Sequence, residues 1–239
     1  MERKNVNKEW DVFFGAKALK MDVPQYVLFV DIMGIRTTMF RSFSKSAIFI
    51  GKLHSVIVAL KSRYVMKVFP VMDGAYILCE DLNILKKVIS ELYMKLGWIF
   101  VNTQNDEDRF MIRGGLAYGT VVLGDSIDEK VSIDLNNDSA YKQTLLFGLP
   151  MVQAFNAEQD APPFGCGIDV TVRNVDVKDM SGIWYKWCND GNELNRQIKK
   201  KLKSYYKWLE RKNLELLYKD ERLNVHKKRC EQYWCIESD

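Results

Sequence analysis

The chain has 239 residues, 47% hydrophobic and 28% charged, which suits one α/β domain with an appendage or two small domains around a substantial core. The opening MERKNVNKEWD has no apolar signal region, and no uncharged apolar run approaches the ~18–20 residues of a membrane span, so a cytoplasmic chain with no membrane partner is expected. The net charge of +4 is carried by the tail (residues 191–239 hold +5, the remainder −1), so the main domain lacks the basic face that a nucleic-acid partner requires.

Residues 26–31 (YVLFVD) form a continuous apolar run, as expected of a strand buried on both faces. Serines at 42, 44 and 46 offer N-caps for a helix through AIFIGKLHSVIVALKSRY, with Ile48, Leu53, Val56 and Leu60 as its apolar stripe. Two β-rich runs, 64–71 and 75–79, flank Asp73-Gly74, which is a hairpin signal. The next amphipathic helix spans EDLNILKKVISELYMKLGW and carries Leu82, Leu85, Val88, Ile89 and Leu92 on one side. After a polar loop at 102–108, residues 109–117 and 118–123 read as a second strand pair, and 125–138 as an exposed acidic loop. Residues 139–160 read as mainly helical despite Pro150, and strands near 166–172 and 182–187 complete the domain.

The tail is helix-like. Leu202, Leu209, Leu216 and Leu223 recur every seven residues, with Ile198 and Tyr205 on the same side. That pattern fits a zipper or partner-docking helix, or a terminal helix lying on its own domain; Lys212 and Lys219 interrupt the adjacent seam and favour the second. Five scattered cysteines read as reduced thiols. Cys230, Cys235 and His226 lack the second ligand cluster of a zinc finger.

Strands, hairpins and intervening helices in this order predict an α+β fold, a mixed and largely antiparallel sheet with packed helices plus a C-terminal helical extension. The domain reading is 1–190 followed by the basic extension 191–239. No GxxxxGK[ST] loop is present, which disfavours a P-loop nucleotidase. Two carboxylates at strand ends, Asp31 and Asp73, with Arg113 nearby in sequence order, are what a site needs to hold divalent metal ions against a triphosphate. Each motif has a plainer reading: a turn cap for Asp31, a hairpin turn for Asp73-Gly74, and for Arg113 a strand-end residue paired with an acidic neighbour.

Taken together, the set resembles the class III nucleotidyl cyclases over about residues 24–190. Asp31-Ile32-Met33-Gly34-Ile35 is similar to that family's first-metal motif, and Asp73 to its second metal ligand on the following hairpin. Arg113, Gly115, Leu116, Gly119 and Val121 are similar to its Arg-x-Gly stretch, and Gly148 to Glu158 loosely to its later helix motif. The resemblance implies two Mn²⁺ or Mg²⁺ ions on Asp31, Asp73 and the Ile32 carbonyl, and a cradle for the β- and γ-phosphates from the amides of residues 33–36, Gly34 and Ile35 among them. It also implies a homodimer with sites at the interface.

The departures concern the base. Phe69 stands where purine cyclases carry a base-selecting Lys, and Leu145 where its partner Asp stands. Two apolar side chains cannot read a purine edge as that polar pair does. The pattern resembles the Pycsar pyrimidine cyclases of bacterial antiphage defence, implying UTP as first substrate and CTP as second. The family's ribose-steadying Asn falls on Val152, and its transition-state Arg on Asn156. Those two residues support a competing reading, a cyclase-like nucleotide-binding or interaction module without catalysis. A third reading, an adenylate cyclase with unusual base contacts, is disfavoured by Phe69 and Leu145.

Overall fold

The computed structural model of the chain describes residues 14–20, 23–173, 183–188, 191–211 and 220–236. In chain order, β1 (Gln25–Ile32) leads through a tight turn into α1 (Ile35–Arg41) and α2 (Phe43–Lys61). The hairpin β2 (Lys67–Val71) and β3 (Gly74–Cys79) precedes α3 (Leu82–Asn102) and the long strand β4 (Ile112–Gly119). Then come β5 (Val122–Leu123), α4 (Ile133–Asn137), α5 (Ser139–Lys142), β6 (Leu146–Phe147) and α6 (Leu149–Gln159). The chain continues through β7 (Cys166–Ile168), α7 (Val170–Arg173), β8 (Trp184–Tyr185), α8 (Glu193–Arg211) and α9 (Asp220–Trp234).

The main sheet runs β2-β3-β1-β4-β7-β8. Every pairing in it is antiparallel except β4 with β7, which α6 connects as a crossover. Period-two alternation along β1 sets the layers. Tyr26, Leu28, Val30 and Ile32 face a large apolar cluster shared with α2, α3 and α8. Val27 and Phe29 face a much smaller one, which Tyr76, Leu78, Ala117 and Ala154 complete. Asp31 belongs to that thin side by the same alternation.

Helix ends follow their caps. The Ser42 hydroxyl accepts from Lys45 N and starts α2 at Phe43, while Asp81 accepts from Asn83 N and Ile84 N and starts α3 at Leu82. The buried face of α2 carries Phe49, Leu53, Ile57 and Leu60, with Val56 half-buried against the core, so the predicted stripe is out of phase at Ile48, which is exposed. The helix is apolar almost all round, which left its phase undetermined by periodicity. Among the described residues, α2 is the one helix long and apolar enough to cross a membrane by length and composition. Its inner face is packed into the core.

Three further expectations change. Residues 109–117 and 118–123 are not paired with each other: β4 lies between β1 and β7, and β5 pairs with β6 in a separate ribbon. Gly119 at φ 159 ends the long strand and redirects the chain. The 125–138 segment is less exposed than expected, because Ile127 and Val131 are buried and 133–137 is helical. Residues 144–148 interrupt the helix expected over 139–160, since β6 must pair with β5 there.

The tail docks on its own domain. Ile198, Leu202, Tyr205, Tyr206 and Leu209 of α8 are buried, and Gly97 lets Ile198 approach α3 so closely that a Cβ there would lie 2.5 Å from its Cδ1. Leu216 of the heptad lies outside the described residues. Cys230 is buried and Cys235 exposed, and the described residues contain no group of three or more His, Cys, Asp or Glu side chains able to hold a metal.

Candidate active site

Asp31 is the penultimate residue of β1 and sits opposite Arg113 of β4. On its other side the hairpin turns at Met72-Asp73, with Met72 at φ 52 and Val71 already paired to Gly74. Gly74 is therefore a strand residue, where the sequence suggested a turn. A Cβ on Gly74 would lie 2.4 Å from the Val30 carbonyl oxygen and 3.2 Å from Asp31 Oδ1. The missing side chain lets the turn close onto Asp31.

The two carboxyl groups consequently lie close enough to interact directly. Burial first, then the charges of Asp73 and Glu158, push Asp31 up to about 8; Arg113 works against the shift. At neutral pH the pair is thus short of positive charge and holds a proton in its place. Hard carboxylate oxygens brought together with so little compensation suit a hard divalent cation, so these residues fit Mg²⁺ or Mn²⁺. Ile32, whose carbonyl the sequence adds to the shell, is the next residue of the same strand.

A pH signature follows. Cation binding must displace the proton from Asp31, so Mn²⁺ affinity should rise as pH increases towards about 8, by up to about tenfold per unit, and flatten above it. Titration calorimetry in buffers of different ionisation enthalpy should register close to one proton released at pH 7. Zero release would show that the cation does not bind this pair.

Arg113 lies behind the pair with its guanidinium already engaged. Its Nε forms an ion pair with Glu158 of α6, a side chain with no solvent exposure. Arg113 Nη1 donates to Gln159 O at 3.1 Å, and Nη2 to Gln159 Oε1 at 3.3 Å. Burial pushes the Glu158 carboxyl upward, and Arg113 opposes that. Sequence reasoning did not assign Glu158 a role. Its signal was an acid four residues after Ala154, on the face of α6 that meets the sheet.

That close meeting depends on glycines. A Cβ on Gly115 would lie 2.0 Å from Ala154 O, and one on Gly167 2.0 Å from Ala157 O. Gly115 of β4 and Gly167 of β7, paired in register, form the bed on which α6 rests.

The other candidates spread around this centre. Gly34 is left-handed at φ 74 and precedes α1, whose first residue is Ile35. Met33 N–H already donates to Met111 O, so of the amides at 33–36 that the resemblance assigned to a phosphate cradle, Met33 is taken. Phe69 pairs with Tyr76 in register and packs against the thin-side cluster, where Phe29 meets Tyr76 at 4.7 Å and Phe155 at 5.5 Å between ring centroids. Leu145 is half-buried beside Gly124, whose N–H donates to its carbonyl. A 4.0 Å contact between Lys67 and Asp125 brings that loop to the edge of the hairpin. Asn156, Val152 and Phe155 project from α6 and are exposed. The structure thus gathers Asp31, Asp73 and Arg113 into one cluster, with Phe69 on the same side of the sheet.

No family model and no curated protein matches the chain. Solved structures do. A bacterial light-regulated adenylyl cyclase superposes with TM-score 0.55 at 13% identity, over 78% of this chain and 57% of that one. A second structure of a bacterial light-regulated adenylyl cyclase gives 0.52 at 15%, over 66% and 46%. The guanylyl cyclase domain of the RhoGC fusion protein from the aquatic fungus Blastocladiella emersonii gives 0.48 at 16%, over 65% and 85%. The chain has the nucleotidyl cyclase fold.

Proposed function

We propose that the protein is a metal-dependent nucleotidyl cyclase that converts a pyrimidine nucleoside triphosphate, UTP first and CTP second, to its 3′,5′-cyclic monophosphate and pyrophosphate. The observation that carries this reading is the closure of the Asp73 turn onto Asp31, on the thin side of a sheet with the cyclase fold. The catalytic unit is residues 1–190, the extension 191–239, and the working form a homodimer with its sites at the interface. The exposed α6 residues Val152 and Asn156 support that last point, because they leave part of the helix surface uncovered by their own domain. The product would serve as a second messenger in antiphage defence.

The chemistry is an intramolecular displacement. The ribose 3′-oxygen forms a bond to the α-phosphorus, the bond to the bridging oxygen breaks, pyrophosphate leaves and the hydroxyl proton passes to water. Bound divalent cations would acidify the 3′-hydroxyl and neutralise the departing pyrophosphate. Asp31 and Asp73 hold those cations, with the Ile32 carbonyl beside them. The amides of residues 34–36 receive the terminal phosphates, and Arg113 braces Asp31 from the neighbouring strand. Phe69 offers an aromatic face to the base, and Leu145 an apolar edge with no hydrogen bond for a purine.

A second reading is favoured by one observation: Arg113 is committed to Glu158 and Gln159, and the exposed α6 surface presents Val152 and Asn156. A module that binds nucleotide without turning it over would look the same there. Incubation of the full chain with Mn²⁺ and each of ATP, GTP, CTP and UTP, with products identified by mass, separates the readings. Cyclic UMP or cyclic CMP should exceed cyclic purine product by about tenfold or more. Cyclic AMP alone would refute the pyrimidine assignment, and no cyclic product from any triphosphate would leave the binding module.

A further inference from the structure

Helix α6 ends at Gln159 with no basic residue in its last turn. The backbone N–H groups of Asp160 and Ala161 take up the carbonyls of Ala157 and Glu158, which leaves Gln159 O and the negative end of the helix dipole to donors from elsewhere. Glu158 aggravates the need, because it adds a buried carboxylate at the wrong end of the helix.

Three elements supply the donors. From β4, Arg113 Nη1 reaches Gln159 O at 3.1 Å. From α9, Arg229 Nη1 reaches the same oxygen at 2.8 Å, and its Nη2 reaches Asp160 Oδ1 at 2.6 Å. From β8, Trp184 Nε1 donates to Asp160 O at 3.0 Å. Further along, Trp234 Nε1 of α9 donates to Pro163 O at 3.0 Å. Two guanidinium groups therefore meet on one carbonyl, each with a carboxylate of its own: Glu158 for Arg113 and Asp160 for Arg229. His226, one turn before Arg229, is held well below the ordinary imidazole range by burial and by Arg113, Arg229 and Arg222, so it adds no third charge at neutral pH. The described structure uses the same device at the end of α3, where Arg109 donates to the carbonyls of Phe100, Val101 and Gln104.

Resting on the cyclase reading above, we propose that Arg229 is a positioning residue of the candidate active site: from the C-terminal helix it caps α6 and thereby fixes Arg113 and Glu158 behind Asp31. The extension then acts on the site from outside the catalytic unit. Loss of the cap frees the last turn of α6, and Arg113 loses the shared acceptor that sets its orientation. Small displacements of this kind lower turnover more than substrate binding.

The test uses the full chain with Mn²⁺ and the preferred triphosphate. Arg229→Ala should lower kcat about five- to tenfold with KM within about twofold, and Arg229→Lys should recover part of the loss through a single donor. Trp234→Phe loosens the same helix without touching the cap, so it should reduce the melting temperature and leave kcat near wild type. Wild-type kcat in Arg229→Ala, or an equal loss in Trp234→Phe, would overturn the proposal. Should the wild type make no cyclic product, the cyclase reading fails by itself, and hydrogen exchange decides the cap. Faster exchange at 157–161 in Arg229→Ala but not in Trp234→Phe supports it, and unchanged exchange there overturns it.

Discussion

Asp31→Asn and Asp73→Asn should each cut cyclic-nucleotide formation by about 10³-fold or more, because each removes half of the anionic charge available to the cations. The same substitutions should not weaken the metal-free fold. Asp31 has a raised folded-state pKa, about 8 against an ordinary 3.8, so the protonated folded form is favoured at low pH and that stability is lost as pH rises through 8. Asparagine keeps the neutral form at every pH. At pH 8 without metal, Asp31→Asn should therefore gain about 1–2 kcal/mol, roughly 3–6 °C in melting temperature, after allowance for the offsetting Arg113 charge. Mn²⁺ at a hundred times its dissociation constant should stabilise the wild type by about 2.7 kcal/mol and the variants far less. Full turnover in Asp31→Asn, or an equal Mn²⁺ shift in wild type and variant, would remove the metal pair from the mechanism.

Gly115→Ala should be the most damaging conservative change in the fold. The new Cβ would lie 2.0 Å from Ala154 O and 2.3 Å from Glu158 N, both backbone atoms that cannot rotate away. Helix α6 must lift, and Glu158 then separates from Arg113 inside the protein. Overpacking and a parted buried ion pair together should cost about 3 kcal/mol or more, read as a lower urea midpoint. Gly51→Ala is the matched control: nothing lies within 4 Å of its Cβ on α2, so a gain of about 0.5–1 kcal/mol from helix propensity is expected. Similar midpoints for the two variants would mean that α6 does not rest on Gly115 as closely as described.

The central strands were legible because burial on both faces makes them short continuous apolar runs, and the Asp73-Gly74 turn signal marked the hairpin between two of them. Asp31 and Asp73 stood out as carboxylates at the ends of apolar runs, a pattern that turn caps share, and only the close packing of the hairpin turn on β1 sets them side by side. Helix α2 was legible in extent through Ser42 and illegible in phase, since Ile48 and Phe49 are equally apolar and only packing chooses between them. The β5–β6 ribbon escaped notice because two-residue strands carry no periodicity. Glu158 and Arg229 escaped for a different reason. Their roles depend on a helix end, a strand and a C-terminal helix meeting at Gln159 O, residues that are 46 and 70 positions apart from it in the chain. No local pattern encodes such a meeting.

The unequal apolar layers on the two sides of the sheet have an evolutionary consequence. Nearly all the buried hydrocarbon lies on the side opposite Asp31, where α2, α3 and α8 supply the folding free energy. The thin side owes less to packing, so exchanges at Phe69, Leu145 or Val152 should come at small cost in stability. A scaffold divided in this way can vary its thin face through folded intermediates. The thin face should therefore diverge faster than the architecture, which is consistent with a shared fold at 13–15% identity.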